Sequence, residues 1–449
     1  MNAGHRTRLH CSSAGAARAG TVIAGLLAAA ALLAGAAPAV RAAEPAAGTP
    51  NSSPLVVSAA AFGGSVWGPL LYGSADSTAT QLAKGPSGSV YSVVDVGVSW
   101  GPDHCVMSVA RIRVSDGHVL WRKAYAGPGP WASATRVVAA PNGDAIVLGY
   151  QRPAADAGAS WFVRRYRAST GRVLWSRTRS SGDVAGKPTD TTAYGLAVDD
   201  GGNVYVAGTT LNSNDSPGVA IAAKYTAAGR PAWTRRLESG AGGNLSGIAV
   251  DAHRNSYVTG CVVTDAGPPI VAVGVVTRLS SVGRVVWSKP IGNHGFFQTT
   301  QPIVRGTRLF VRGLEWVSDP PNVPFGWPLV AKVSTATGRR VWTTQLDAIP
   351  GRNQQPQGLA IDAAGNAVIS GGSQYVELAD EPNVQYMGWV YKLSAGTGAP
   401  AWHRWLFNDL GTESYSGWVG EVAIDGRGRV YAAGGWNHDA TAQGSDGIV

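Results

Sequence analysis

From about residue 54 onward, apolar and polar positions alternate with period two in short runs. Clusters of Gly, Asp and Asn break the runs. Such alternation predicts half-buried strands joined by tight turns. One segment reads "GLAVDDGGNVYVAGTT" at 195–210. It returns as "GIAVDAHRNSYVTGCV" at 247–262, "GLAIDAAGNAVISGGS" at 358–373 and "EVAIDGRGRVYAAGGW" at 421–436. Weaker copies start at Gln81, Arg136 and Thr300. Each copy predicts a β-hairpin, with Asp-x-x-Gly-Asn as its turn.

A second segment type alternates with the first. It reads "VRRYRASTGRVLWSRT" around Trp175, and further copies centre on Trp121, Trp233, Trp287, Trp342 and Trp402. Successive Trp residues stand 54, 58, 54, 55 and 60 positions apart. A unit of about 56 residues and four strands, repeated this often, predicts an all-β chain: a β-propeller of four-stranded antiparallel blades. The first segment type occurs seven times and the second six. The stretch "PLVVSAAAFGGSVWGPLLYG" at 54–73 supplies the missing copy, with Trp67 at the Trp position. The expectation is a seven-bladed ring over 54–449. The N-terminal strands would complete the C-terminal blade and remove two free sheet edges.

Composition fits many turns and few helical surfaces: Gly is 60 of 449 residues and charged residues are 14 %. Residues 1–43 look like a cleaved signal peptide, with Arg6, Arg8 and Arg18, then an apolar run from Thr21, then small residues up to Ala43. Residues 44–53 form a short linker. The run is too rich in Ala to span a bilayer well. Export to the periplasm or medium is therefore expected, with no transmembrane anchor in the mature chain. Removing 1–43 deletes four Arg and no acid, which lowers the net charge from +9 to +5. A charge this mild, without a Lys/Arg cluster, gives no support to nucleic-acid binding. Cys105 and Cys261 remain; three repeats apart, they are expected to be buried free thiols.

The pattern G-x-A-x-D-x-x-G-N-x-Y-V-x-G resembles the SBBP-type repeat of exported propellers. T-G-x-x-L-W resembles the tryptophan-docking motif of the pyrroloquinoline quinone (PQQ) repeat superfamily. That superfamily holds quinoprotein dehydrogenases and non-enzymatic relatives such as the outer-membrane assembly lipoprotein BamB. Dehydrogenase membership would imply PQQ and calcium over the axis, an aspartate base and a vicinal disulfide. This chain has no adjacent Cys pair. Trp67, Trp121, Trp175, Trp233, Trp287, Trp342 and Trp402 are therefore expected to be structural docking residues, and no cofactor is expected.

Asp199, Asp251, Asp362 and Asp425 recur one per repeat. Calcium needs six to eight oxygens at one point, so capped turns fit them better than a metal site. The six His residues of the mature chain show no metal-binding spacing. At the position that opens the first segment type, the seven residues are Gln81, Arg136, Gly195, Gly247, Thr300, Gly358 and Glu421. Arg136 and Glu421 either line a polar channel mouth or pair with each other. The loop at 291–300 carries His294, and the loop at 406–420 carries Asp409, Glu413 and Trp418. Two carboxylates would serve glycoside hydrolysis, although one loop supplying both suits a cleft poorly. These features favour a monomeric, non-enzymatic binding or scaffold module for a protein or polysaccharide. The alternative is a propeller enzyme, either a carbohydrate-active hydrolase or lyase, or a PQQ-type dehydrogenase.

Overall fold

The computed structural model describes residues 77–448 apart from 97–104, 130, 155–156, 181–182, 185–186, 189, 212–217, 238–241, 266–270, 293–296, 300, 320–322, 347–351, 376–386, 407–415 and 438–444. The expected signal peptide, linker, Trp67 and closing strands all lie outside them.

The alternating runs form antiparallel sheets whose strands follow chain order. Six sheets are complete, at 77–125, 131–179, 190–236, 242–290, 297–345 and 352–406; a seventh, partial sheet occupies 416–448. Six complete blades and a partial seventh fit the expected seven-bladed propeller, while the strands expected to close it lie outside the described residues. In blade five the innermost strand is split into Phe297–Thr299 and Ile303–Arg305. Both pieces pair with the second strand, Arg308–Asp319.

Period-two alternation here serves two interfaces at once. In the second strand of blade two, Ala145 and Val147 pack with blade one, while Ile146 and Leu148 pack with blade three. Further apolar clusters join blades three to four, four to five, five to six, and six to seven. The core therefore lies between blades rather than within them.

The Trp motif has one partner per interface. Indole Nε1 of Trp121 donates to the Ala168 carbonyl of the next blade at 2.7 Å. Trp175 reaches Ala227 at 3.0 Å, Trp233 reaches Ser281 at 3.2 Å, Trp287 reaches Thr335 at 3.3 Å and Trp342 reaches Ala395 at 3.1 Å. Each accepting carbonyl opens a turn whose Gly has positive φ and faces the same indole. A methyl group on Gly171 would stand 2.7 Å from the Trp121 ring, and one on Gly229 2.6 Å from Trp175. Glycine is needed there for backbone conformation and for space. The Gly and the Trp of one T-G-x-x-L-W copy thus serve different interfaces.

A second donor reaches the same carbonyl. Directly across from each Trp, on the third strand, stands a basic residue: Arg111, Arg165, Lys224, Arg278 or Lys332. These reach Ala168 at 3.0 Å, Ala227 at 3.0 Å, Ser281 at 3.4 Å, Thr335 at 3.2 Å and Ala395 at 2.6 Å. Two residues after the Trp, a third donor often takes the turn glycine's own carbonyl, as Arg177 does with Gly229 at 2.6 Å and Thr344 with Gly398 at 2.8 Å.

The recurring aspartates cap turns. Asp199 accepts from the Asn203 amide N–H at 2.8 Å, the Asn203 side chain at 2.8 Å and the Tyr205 hydroxyl at 3.0 Å. Asp251 repeats the arrangement with Asn255 and Tyr257. Cys105 and Cys261 are buried free thiols in blades one and four.

Two donors on one carbonyl predict non-additive energetics. Lys332→Met or Trp342→Phe alone leaves the Ala395 carbonyl with one donor, so neither single variant carries the cost of an unsatisfied acceptor. The double variant strands it and should exceed the sum of the singles by roughly 1 kcal/mol. Denaturant unfolding of the four proteins measures this, and strict additivity would refute it.

Candidate functional site

The inner strands converge on one axis, and their sequence explains how. Each of six inner strands carries a β-bulge at the same place, immediately before Gln81, Arg136, Gly195, Gly247, Gly358 and Glu421. A bulge bends the strand and re-aims the next side chain. The strands begin several residues upstream of this position, at Ser77, Trp131, Asp190, Gly242, Arg352 and Ser416. Six of the seven compared positions therefore follow a bulge part-way along an inner strand, and the seventh, Thr300, lies outside the described residues.

In blades one, two, three and six the bulge meets the next blade. The Gln81 side chain accepts from the Val137 amide at 2.8 Å. Arg136 Nε donates to the Tyr194 carbonyl at 2.9 Å, and Thr135 Oγ1 donates to Ala193 at 3.0 Å. A methyl group on Gly195 would lie 2.8 Å from the Gly247 backbone, and one on Gly358 would lie 2.8 Å from the Val422 nitrogen. These glycines are set by close backbone approach.

Blade five departs from the pattern. Thr300 lies outside the described residues, and its neighbour Gln301 takes the axial place. Gln301 Nε2 donates to the Leu196 carbonyl at 3.1 Å and also to the Ile248 carbonyl. One side chain thus links blades three, four and five. The second strand of the same blade contributes Arg312, whose Nη1 donates to the Pro356 carbonyl of blade six at 2.7 Å.

Arg136, Arg312 and Glu421 come from blades two, five and seven, and they act on one another electrostatically. Among the described residues, no ion pair joins Glu421 to either guanidinium. Glu421 reaches solvent although protein encloses it, as suits a channel-lining side chain. Enclosure raises its carboxyl above the ordinary range, opposed by Arg312 and Arg136. Desolvation lowers Arg312 to about 10, with Glu421 opposing. Desolvation also lowers Arg136, again opposed by Glu421. Arg312 is 7 % exposed, and its Nε is buried without an acceptor. Sequence comparison missed Arg312 because it sits on the second strand. The signal was there: the equivalent positions hold Val93, Leu148, Ala207, Thr259, Ser370 and Ala433.

His294, Asp409 and Glu413 lie outside the described residues. Trp418 is in the inner strand of blade seven, opposite Gly435. Among the described residues, no group of three or more His, Cys, Asp or Glu is placed to hold a metal ion.

With this geometry in hand, comparisons place the chain. Residues 184–214 match the model of a β-propeller repeat, SBBP. Residues 218–444, just over half of the chain, match the model described as outer membrane protein assembly factor BamB. The chain belongs to this BamB propeller family. No curated protein matches it. Among solved structures, the β-propeller domain of the Trilobed protease from Pyrococcus furiosus is 8 % identical, with a TM-score of 0.43, over 82 % of this chain and 91 % of that one. Polysaccharide lyase Uly1 is 10 % identical, with a TM-score of 0.42, over 70 % and 77 %. A protein of unknown function from Bacteroides caccae is 13 % identical, with a TM-score of 0.37, over 66 % and 89 %. Likenesses this distant carry no argument about activity.

A second polar group in this BamB-family chain lies between blades one and two. Asp95 is buried, and accepts from Ser133 Oγ at 2.6 Å and from the Ala134 amide at 3.0 Å. Thr209 makes the matching bond to the Leu245 amide between blades three and four at 3.1 Å. Asp95 is therefore a blade tie. Burial pushes its carboxyl up to about 6, against those hydrogen bonds. Burial also pushes the nearby Cys105 thiol up to about 12, which makes it a poor nucleophile.

Asp95 gives a pH signature. Its folded-state value of about 6 exceeds the ordinary 3.8. Its stabilising contribution is thus complete below that ordinary value and is lost as pH rises through about 6. The loss is roughly 3 kcal/mol. Unfolding of wild type and D95N at the acidic and neutral ends of this window should show wild type losing stability relative to D95N toward neutral pH. A constant difference between the two would refute the assignment.

Proposed function

We propose that this chain is an exported, non-enzymatic propeller that binds a protein or glycan ligand through its axial channel. The observation that carries the reading is the charged sector of the axis. Arg136, Arg312 and Glu421 act on one another electrostatically, Glu421 reaches solvent, and among the described residues no ion pair joins Glu421 to either arginine. Charged side chains held apart at this cost in desolvation suit a partner from outside the fold. The rest of the axis is structural: Gln301 and the glycines at 195 and 247 close it with backbone contacts. Binding without turnover is supported by chemistry. The axial carboxylate stands with two guanidiniums, and among the described residues no second acid, histidine or thiol shares its electrostatic environment. Export is supported by the character of residues 1–43.

Full-length mature protein, screened against a glycan array and candidate exported proteins, should yield a ligand. Arg136→Gln and Arg312→Gln should each weaken its binding tenfold or more, and the ligand should be recovered chemically unchanged. Cleavage or oxidation of the bound ligand would establish an enzyme. Binding indifferent to both variants would move the site elsewhere.

A further inference from the structure

Resting on the axial reading above, we propose that Arg136 and Arg312 hold a single carboxylate group of the ligand, and that Glu421 is a resident competitor limiting its affinity.

The two guanidiniums are fixed and only partly used. Arg312 is anchored through Nη1 on the Pro356 carbonyl. This leaves the edge formed by Nε and Nη2, and Nε is a buried donor with no acceptor. Buried donors are nearly always paired, so a vacant one beside a channel marks a place for an acceptor. The Nε–Nη2 edge is a planar fork that matches both oxygens of a carboxylate. Arg136 is likewise anchored through one nitrogen, Nε, on the Tyr194 carbonyl. Arg312 lies one pair beyond Thr299 and Gly313, at the register that Arg136 holds in blade two; the charge of Arg136 disfavours that of Arg312, and an anion between them relieves that repulsion.

Charge balance selects the class of anion. Among the described residues that act on one another here, two guanidiniums and one carboxylate leave one net positive charge. A monoanion neutralises it, whereas a dianion such as hydrogen phosphate would leave excess negative charge facing Glu421. A carboxylate therefore fits better than a phosphate. Glu421 shares the channel and pairs directly with neither arginine, so it attracts both cations while repelling an incoming anion. Removing its charge frees both cations for the ligand.

Isothermal titration calorimetry on the full mature protein, at neutral pH and low salt, tests this. The probes are glucuronate and N-acetylglycine, each beside its uncharged amide, and inorganic phosphate. The two acids separate a sugar acid from a peptide terminus as the carboxylate's source. At least one acid should bind at least tenfold more tightly than its amide and than phosphate. E421Q should tighten that binding about tenfold, whereas R312Q should weaken it tenfold or more. R312K preserves charge without the fork and should fall between wild type and R312Q. Thermal unfolding verifies that each variant is folded; if R312Q is not, R136Q and R312K carry the comparison.

Equal affinity for acid and amide, tighter binding of phosphate, or no gain in E421Q would overturn the proposal. So would silence of both acids towards wild type and E421Q. If a macromolecular ligand depends on Arg136 and Arg312 but no carboxylate competes, this inference fails and the binding reading survives. If carboxylates bind as stated but no macromolecule does, the reverse holds.

Discussion

The packing of blade on blade depends on a single backbone carbonyl in the turn between the third and fourth strands of blades two to six. At five consecutive interfaces that oxygen accepts an indole N–H and a basic side chain from the preceding blade. The two donors are neighbours across a strand pair, so one pleat aims both at one point. A carbonyl has two acceptor lone pairs, and both are used. The indole adds a large buried apolar surface. The glycine that follows the carbonyl lets the ring lie flat on the turn. Any other side chain would collide with the ring and would also strain a positive-φ backbone.

This arrangement explains why the fold was legible in the sequence. Blade count and strand order follow from the phased Trp residues and from alternation, because both sheet faces are buried against neighbours. The basic residue of the third strand was equally visible, at Arg111, Arg165, Lys224, Arg278 and Lys332, but its role was not. Periodicity reports which face a residue occupies and says nothing of which carbonyl it reaches.

The axial site was legible only in part. Arg136 and Glu421 stood out by breaking a run of small residues. The bulge that precedes each of them did not, because nothing in the alternation marks a bulge. Arg312 was hidden by a change of strand. Blade five breaks its inner strand around Gln301, and the second strand then supplies the axial cation. A comparison confined to equivalent positions misses a function that has moved to the neighbouring strand.

The same constraint that builds the ring shapes what the axis can do. Outer clamps and bulge contacts tie successive blades together and hold both arginines on backbone atoms. Surface side chains of opposite sign would simply rotate into contact. Here Arg312 is held by the Pro356 carbonyl and Arg136 by the Tyr194 carbonyl, each a backbone atom of the following blade. The charges stay apart because their anchors belong to different sheets. Rigidity of this kind lowers the reorganisation needed to receive a ligand. It also gives a reason for the glycines and Gln301 on the other side of the axis. That sector locks blades three to five together through backbone contacts, whereas in the charged sector the Nε of Arg312 keeps unused bonding capacity.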